Sequence, residues 1–309
     1  MADKVIVLAG PTASGKTALS IELAKIYNGE IVSADSMQIY KRMNIGTAKA
    51  TAAEQAQAVH HMIDVAEPSE DFSVSRYVEE AEKCCRDIIS RGKIPIICGG
   101  TGLYIDSLLS GRSFAQRDED SNIREDLNAE YDKIGGEEML KKLSLVDPER
   151  AEKLHPSDKR RIVRALEIFK LTGMTISEHD AATKALPPRF EAKTIVLNFK
   201  DRQDLYDRIN MRVDLMEELG LFEEVAALLD SGLDDKCTAM QAIGYKEIVQ
   251  ALRGEISREE ALEQIKMGSR RYAKRQLTWF RRSEGALWIN WDKSPDISAA
   301  LDDIKEFIG

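Results

Sequence analysis

The chain has 309 residues, of which 43% are hydrophobic, and its formal net charge is −9 at pH 7. This composition supports a folded globular protein of about two domains and excludes a disordered chain. A net negative charge disfavours nucleic-acid binding over the whole surface, so any such contact must lie on local basic patches.

The first predicted element is a buried strand at residues 5–9, which a glycine-rich loop follows. In the pattern Gly-x-x-x-x-Gly-Lys-Thr, the glycines let backbone N–H groups point at anionic oxygens, the lysine adds a positive charge and the threonine offers a hydroxyl to Mg²⁺. A helix that begins near Lys16 adds the positive end of its dipole. We therefore predict a phosphate-binding loop, with Thr17 as a magnesium ligand, rather than a turn of purely structural use. Its residues are Gly10, Pro11, Thr12, Ala13, Ser14, Gly15, Lys16 and Thr17.

A second predicted strand, at residues 30–35, ends in Asp35. The carboxyl ends of neighbouring parallel strands converge on one crevice, so Asp35 is expected to face the phosphates as a magnesium support or a general base. Ser36, Met37 and Gln38 follow, and they offer groups that can hydrogen-bond a flat heterocycle. A helix N-cap is the alternative role of Asp35.

A third predicted strand, at residues 94–98, is followed by Gly-Gly-Thr-Gly-Leu-Tyr at residues 99–104. Glycines there permit close approach of the backbone to a ligand, and Thr101 presents a hydroxyl. A simple strand-to-helix turn is the competing interpretation. Beside the phosphate loop and Asp35, this segment is predicted to form a third wall of one site.

No strand is predicted between residues 98 and 194, where segments 123–134, 137–145 and 159–171 carry helical spacing. Strands at residues 194–199 and 287–290 then continue the sheet. The predicted fold is α/β, a P-loop NTPase-like parallel sheet flanked by helices with an all-helical insertion domain. The core is expected at residues 1–113 and 193–309, and the insertion at residues 114–192.

Basic residues cluster on two predicted helices. Residues 266–282 contain seven Lys or Arg and no Asp or Glu, and six of these cations fall within about 140° of a helical wheel. Arg160, Arg161 and Arg164 share about 100° of a second helix. Because solvated faces usually mix charges of both signs, these faces favour presentation of cations to a ligand over simple solvation. The six cations are Arg270, Arg271, Lys274, Arg275, Arg281 and Arg282.

Eight short strings, spread over nearly the whole chain and in the family's order, resemble the bacterial tRNA dimethylallyltransferases. They are GPTASGKT (10–17), SADSMQIY (33–40), IGTAK (45–49), HHMID (60–64), GGTGLY (99–104), RRIVRALE (160–167), AIGYKE (242–247) and YAKRQLTWFR (272–281). The resemblance implies transfer of a dimethylallyl group from dimethylallyl pyrophosphate to the exocyclic N6 of the adenosine 3′ of the anticodon in tRNA. The products would be N6-isopentenyladenosine and pyrophosphate, with Mg²⁺ as cofactor, and the loop would bind pyrophosphate.

The resemblance also implies roles for individual residues. Asp35 would be the catalytic base, and Thr101 would hydrogen-bond near the bridging oxygen of the donor. Ser157 stands where the family more often has Asn, and Ser269 where it often has Thr, which puts only local capping in doubt. The anticodon stem-loop of tRNA would be bound by Asp35, Ser36, Met37, Gln38, Thr101, Arg124, Lys159, Arg160, Arg161, Arg164, Tyr245, Lys246, Arg270, Lys274 and Arg275.

Three other functions remain open from the residues alone. A small-molecule or nucleoside kinase would use the same loop with Asp35 as base, but it leaves the basic helices unexplained. A second alternative is an RNA-binding module without catalysis, but such a module would not need Asp35 and Thr101. A third is a prenyltransferase that uses free adenylate, but that enzyme would not need the basic insertion.

The cysteines and the apolar pattern indicate the compartment. Cys84, Cys85, Cys98 and Cys237 form neither a metal-ligand pattern nor a disulfide framework, and we expect reduced thiols in a cytoplasm. No signal peptide is recognised, and no apolar run approaches the ~20 residues that span a bilayer. We expect a monomer with no membrane partner.

Overall fold

The computed structural model describes residues 3–111, 122–184 and 186–309. The chain divides into two compact units: Met1–Leu109 together with Arg189–Gly309, and Ser110–Pro188. The core resumes at Arg189, whose backbone N–H donates to the Leu109 carbonyl at 2.9 Å. The fifth strand of the sheet begins at Glu191, so residues 191 and 192 belong to the sheet and not to the insertion that the sequence predicted at 114–192.

The first unit contains one six-stranded sheet in which each neighbouring pair of strands is parallel. The strand order is β3-β2-β4-β1-β5-β6. This arrangement confirms the predicted parallel α/β fold. The strands are β1 (Lys4–Ala9), β2 (Gly29–Ser33), β3 (His60–His61), β4 (Ile94–Gly99), β5 (Glu191–Phe199) and β6 (Leu287–Trp291).

Two details of the sheet differ from the sequence prediction. Strand β3 was not predicted, because it has only two residues and both are histidines. Strand β2 ends at Ser33, so Asp35 lies in the turn that follows the strand and not in its last position.

Helices lie between most of the strands. In chain order they are α1 (Lys16–Ile26), α2 (Ala52–Gln55), α3 (Val74–Ser90), α4 (Gly102–Leu109), α5 (Ile123–Ile134), α6 (Gly136–Val146), α7 (Pro148–Ala151), α8 (Lys159–Thr172), α9 (Ile176–Lys184), α10 (Arg202–Glu218), α11 (Leu221–Asp230), α12 (Tyr245–Leu252), α13 (Arg258–Phe280) and α14 (Ile297–Ile308). No helix of the described residues is both long and apolar enough to cross a membrane.

The core of the first unit is built on the central strands. Val7, Leu8, Ile97 and Val196 are fully buried, as expected for parallel strands that helices cover on both faces. Strand β1 pairs with β4 on one side and β5 on the other. The loop after β1 therefore leaves the sheet at its middle, where neighbouring carboxyl ends converge.

The second unit is entirely helical in its described residues and contains α5 to α9. Its core is formed by Leu127, Met139, Leu143 and Ile162, among others. Asp147 joins two of its helices, because one carboxylate accepts the backbone N–H of Arg150 at 3.0 Å and the hydroxyl of Ser177 at 2.6 Å. Helices α7 and α9 were not predicted from the sequence.

Candidate active site and basic surfaces

The predicted phosphate loop joins β1 to the N-terminus of α1. Gly15 has a left-handed backbone, with φ at 88°, which a residue with a side chain adopts only under strain. The Ser14 hydroxyl donates to the Pro11 carbonyl at 2.8 Å, and the Trp291 indole donates to the Ser14 carbonyl at 2.9 Å. The loop is thus closed by its own residues and supported from β6.

Lys16 is folded back over this loop. Its Nζ donates to the carbonyls of Gly10 at 3.0 Å and Pro11 at 2.6 Å. Burial lowers the pKa of Lys16 to about 8; the positive charge of Arg212 also lowers it, while the negative charge of Asp35 opposes the shift. An anion in the loop would restore a strong preference for the charged ammonium.

Two arginines of α10, which the sequence analysis did not identify, contact the same loop. Arg208 Nε donates to the Ala13 carbonyl at 3.1 Å, and Arg212 Nη1 contacts the Thr12 hydroxyl at 3.1 Å. Burial lowers the pKa of Arg212, and the nearby charge of Asp35 raises it. With Lys16, they place three cationic side chains on one short loop.

Asp35 lies two residues beyond the end of β2. Its Oδ1 accepts the backbone N–H of Met37 at 2.9 Å and that of Gln38 at 3.4 Å. These bonds fix a turn, and no helix follows, so the alternative role as a helix N-cap does not apply. The other carboxylate oxygen has no hydrogen-bond donor among the described residues.

Thr101 lies beside this turn. Its hydroxyl accepts the backbone N–H of Ser36 at 3.1 Å, and its own N–H donates to the Ala34 carbonyl at 3.1 Å. Tyr272 of α13 is the neighbour of both groups: burial and the charge of Asp35 raise the pKa of Tyr272 to about 12, and hydrogen bonding with Thr101 lowers it. Asp35, Thr101 and the phosphate loop thus meet at the carboxyl edge of the sheet.

Gln276 of α13 connects two walls of the site. Its Oε1 accepts the backbone N–H of Thr12 at 3.0 Å, and its Nε2 donates to the Gly100 carbonyl at 2.9 Å. A Cβ on Gly100 would lie 2.1 Å from this nitrogen, so a residue with a side chain here would displace the Gln276 amide from this bridge. The sequence analysis assigned Gln276 no role.

Two predicted tRNA contacts have side chains that are engaged inside the protein. The Gln38 amide donates to the carbonyls of Thr47 and Ala48, each at 3.2 Å, and accepts from the Ser33 hydroxyl at 3.2 Å. The Tyr245 side chain is fully buried and donates to Glu224 at 2.7 Å. Gln38 is half-buried, and its predicted RNA contact stays a prediction. The Tyr245 ring is fully buried and has no surface to offer to RNA.

A basic groove of about 420 Å³ runs along the C-terminal part of α13. Arg271, Lys274 and Arg275 have no acidic partner among the described residues. Arg270 instead donates to Asn210 Oδ1 at 2.6 Å, and Lys246 lies 3.7 Å from Glu247. The helix ends at Phe280, so the predicted helical face does not extend to Arg281 and Arg282. The groove is lined by Arg271, Lys274, Arg275, Thr278, Trp279 and Arg282.

The predicted tRNA contacts of the second unit fall into two groups. Arg160 and Arg161 are exposed on α8 and have no ionic partner among the described residues. Arg124 and Arg164 both bind the buried carboxylate of Glu167 at 2.8 Å. The sequence analysis did not identify Glu167 as their partner. The remaining cation, Lys159, pairs with Asp132 at 2.6 Å.

The oxygen atoms near the phosphate loop suit a magnesium ion that phosphate and water also coordinate. They do not suit a metal ion held only by protein side chains. No group of three or more His, Cys, Asp or Glu side chains in the described parts of the chain could hold a metal ion. Magnesium in phosphate sites usually takes one or two protein oxygens and completes its shell with phosphate oxygens and water. The Thr17 hydroxyl, in the first turn of α1, and the Asp35 carboxylate are donors of this type, so these residues fit such an ion.

Comparison with protein families gives two matches. A family described as IPP transferase matches residues 38–283, and one described as isopentenyl transferase matches residues 3–65. The tRNA dimethylallyltransferase of Thermoanaerobacter sp. (strain X514) is 50% identical over 290 residues, which are 94% of this chain and 92% of that protein. The tRNA dimethylallyltransferase of Caldanaerobacter subterraneus subsp. tengcongensis is 47% identical over 309 residues, which are 100% of this chain and 98% of that protein.

Solved structures are similar over the same length. The tRNA isopentenylpyrophosphate transferase of Bacillus halodurans has a TM-score of 0.74 and 42% identity, with 99% of this chain and 95% of that chain covered. A eukaryotic dimethylallyltransferase acting on tRNA has a TM-score of 0.82 and 31% identity, with 99% of this chain and 79% of that chain covered.

Proposed function

Because the chain belongs to the IPP transferase family, we propose the following chemistry for its transfer of a dimethylallyl group to tRNA. Dimethylallyl pyrophosphate is the donor, and the acceptor is the exocyclic N6 of the adenosine 3′ of the anticodon. The products are N6-isopentenyladenosine and pyrophosphate. The observation that carries this proposal is the meeting of Asp35 and Thr101 with the loop of Lys16 at one edge of the sheet.

The phosphate loop binds the pyrophosphate of the donor. Lys16, Arg208 and Arg212 contact the loop, so three cations are available there to an anion. The leaving pyrophosphate gathers negative charge as the allylic C–O bond breaks, and these groups and the loop amides oppose that charge. In this proposal the Thr101 hydroxyl donates near the bridging oxygen.

Magnesium is the proposed cofactor, with the Thr17 hydroxyl as its protein ligand and Asp35 as a supporting carboxylate. When bound, a divalent cation neutralises part of the charge on the pyrophosphate.

Asp35 is the proposed general base. The N6 amine of adenine is a weak nucleophile because its lone pair is delocalised into the ring, so removal of a proton during attack is useful. The N6–C1 bond forms, the C1–O bond breaks, its electron pair leaves with pyrophosphate, and one N6 proton passes to the Asp35 carboxylate. The adenosine must leave its stack to reach this crevice, where Ser36 offers a hydroxyl to its edge.

The two basic surfaces are proposed to bind the anticodon stem-loop. The groove on α13 provides cations beside an aromatic ring, Trp279, a combination suited to phosphates and unstacked bases. In the second unit, Arg160 and Arg161 provide cations for the stem.

The kinase alternative is not favoured. It accounts for the phosphate loop and Asp35, but the relatives that match almost the whole chain are named tRNA dimethylallyltransferase. A kinase of a small substrate also leaves the basic groove on α13 unexplained.

Mass spectrometry of nucleosides tests the proposed function. Unmodified tRNA is incubated with the protein, magnesium and dimethylallyl pyrophosphate, and we expect N6-isopentenyladenosine to appear. A transcript with guanosine at the position 3′ of the anticodon is the matched control and should remain unmodified. Absence of product from the adenosine transcript, or ATP-dependent phosphorylation of a small molecule instead, would contradict the proposal.

We further propose that the enzyme works as a monomer in the cytoplasm. Its four cysteines are free thiols, as suits a reducing compartment. Light scattering after size-exclusion chromatography should give a mass near 34.6 kDa, and twice that mass would contradict a monomer.

A further inference from the structure

The Glu224 carboxylate of α11 is bound by backbone amides instead of a cation. Its Oε2 accepts the N–H groups of Asn44 and Ile45, each at 2.8 Å, and its Oε1 accepts the N–H of Gly46 at 3.2 Å. The Tyr245 hydroxyl donates to Oε1 at 2.7 Å. No Lys or Arg of the described residues forms an ion pair with it. Bonds from N–H and O–H groups to a carboxylate are about twice as strong as neutral ones.

Tyr245 and Gly46 fit closely around this carboxylate. The Tyr245 ring is fully buried, and both burial and the charge of Glu224 raise the pKa of its hydroxyl, which therefore stays a donor. A Cβ on Gly46 would lie 2.5 Å from the Tyr245 ring, so the segment reaches Glu224 only with glycine at this position.

The segment held by Glu224 is hydrogen-bonded to the turn that carries Asp35, the proposed base. The carbonyls of Thr47 and Ala48 accept the Gln38 amide at 3.2 Å each. The backbone N–H of Gln38, together with that of Met37, donates to Asp35 Oδ1. Successive hydrogen bonds thus lead from Glu224 to Asp35.

The loop at residues 42–49, which contains the segment held by Glu224, needs an anchor outside itself. Arg42 and Ala48 have positive φ values of 64° and 47°, conformations that side-chain-bearing residues adopt at an energetic cost. Lys49 ties the loop to itself, to Tyr40 and to Asp64, because its buried ammonium donates to Tyr40 O, Asn44 Oδ1 and Asp64 Oδ1. Glu224 joins the loop to α11, a separate helix.

We propose that Glu224 is a positioning residue for the base: it holds the segment from Asn44 to Ala48 so that Gln38 keeps the Asp35 carboxylate aimed at the substrate. The inference rests on the proposed function. A base acts only within hydrogen-bond reach of the proton it removes, and small displacements of catalytic groups cost much of the rate.

The variant Glu224→Gln tests this role, with Glu223→Gln as the matched control. The amide introduced at position 224 turns an NH₂ donor toward backbone N–H donors, whereas Glu223 is an exposed residue of the same helical turn. We expect the single-turnover prenylation rate of tRNA-bound enzyme to fall between about tenfold and a hundredfold. The KM for dimethylallyl pyrophosphate and the Kd for tRNA should stay within about twofold, and Glu223→Gln should match the parent.

Two further variants keep the test decisive if Glu224→Gln folds poorly. Tyr245→Phe removes only one hydroxyl donor, and we expect the single-turnover rate to fall about threefold to tenfold. Gln38→Met should lower the rate as well, and its effect should not multiply with that of Tyr245→Phe, because both act through one chain of bonds. A parent-like rate for folded Glu224→Gln or Tyr245→Phe would overturn the inference. Loss of folded protein alone, with a parent-like rate per bound tRNA, would also overturn it, whereas an inactive parent enzyme would instead contradict the proposed function.

Discussion

Gln276 accepts the backbone N–H of Thr12 at 3.0 Å, although 264 positions separate the two residues in the chain. The other end of its amide donates to the Gly100 carbonyl at 2.9 Å, next to Thr101. One side chain therefore sets the spacing between the phosphate loop and the hydroxyl expected near the bridging oxygen.

Gln276→Met should lower kcat by about tenfold, because methionine fills a similar volume but can neither accept from Thr12 nor donate to Gly100. Steady-state prenylation assays measure the effect. Gln264→Met is the control, since Gln264 is an exposed residue of the same helix and should be silent. An unchanged kcat for Gln276→Met would show that the bridge has no part in turnover.

Loss of the Lys16 charge should lower the activity of the enzyme at alkaline pH. Burial lowers its pKa to about 8, so the free enzyme carries the charge below that pH and loses it above. Because kcat/KM reports ionisations of the free enzyme and substrate, kcat/KM for dimethylallyl pyrophosphate should fall as pH rises through about 8. In Lys16→Arg the guanidinium stays charged, and this decrease should disappear. A parent profile that is flat between pH 7 and 9 would contradict the assignment.

Arg160 and Arg161 should contribute to tRNA affinity through phosphate contacts. Their joint replacement by alanine should weaken binding and reduce the slope of log K against log salt by about one to two. Binding titrations at several salt concentrations measure the slope. Lys141→Ala with Lys153→Ala removes the same charge from exposed lysines that pair with Glu138 and Glu149, and should leave the slope unchanged.

Glu30 should stabilise the edge of the sheet. Its carboxylate is 3% exposed and contacts Arg91 at 2.5 Å, Lys93 at 2.7 Å and His61 at 2.7 Å. Hydrogen bonds from Arg91, and then from Lys93 and His61, hold its pKa below the ordinary value of 4.5. This stabilisation is therefore complete above about pH 4.5 and is lost as pH falls through the lowered pKa.

Glu30→Gln should lower the free energy of unfolding by about 2 kcal/mol near pH 7, since the partly exposed cations Arg91 and Lys93 lose a buried charged partner. Urea denaturation measures the loss, which should shrink in acid. Glu79→Gln breaks an exposed pair with Lys83, which water screens, and should change the free energy of unfolding much less than Glu30→Gln does. Equal effects of the two variants would contradict the special role of Glu30.

Short-range patterns in the sequence predicted much of the site. The phosphate loop, Asp35 and Thr101 each follow a strand directly, and parallel strands bring their carboxyl ends to one edge. Arg208, Arg212 and Gln276 were missed because a cation or an amide within a helix carries no local sign of the loop that it meets. Their contacts exist only once α10 and α13 pack beside the sheet.

Tyr245 shows the opposite error. An aromatic residue next to Lys246 in a family string was interpreted as an RNA contact, but its burial depends on Gly46 and Glu224, which are distant in the chain. Strand β3 was missed because His60 and His61 form no apolar run, and their pairing with Ile31 and Val32 is a tertiary feature.

The most direct test of the account is the single-turnover prenylation rate of Asp35→Asn, measured with its Kd for tRNA. Asparagine keeps an oxygen for the N–H groups of Met37 and Gln38, so the turn should persist, but it cannot take a proton. We expect the rate to fall by about a hundredfold or more while the Kd for tRNA stays within about twofold of the parent. A rate close to that of the parent enzyme would contradict the assignment of Asp35 as the base.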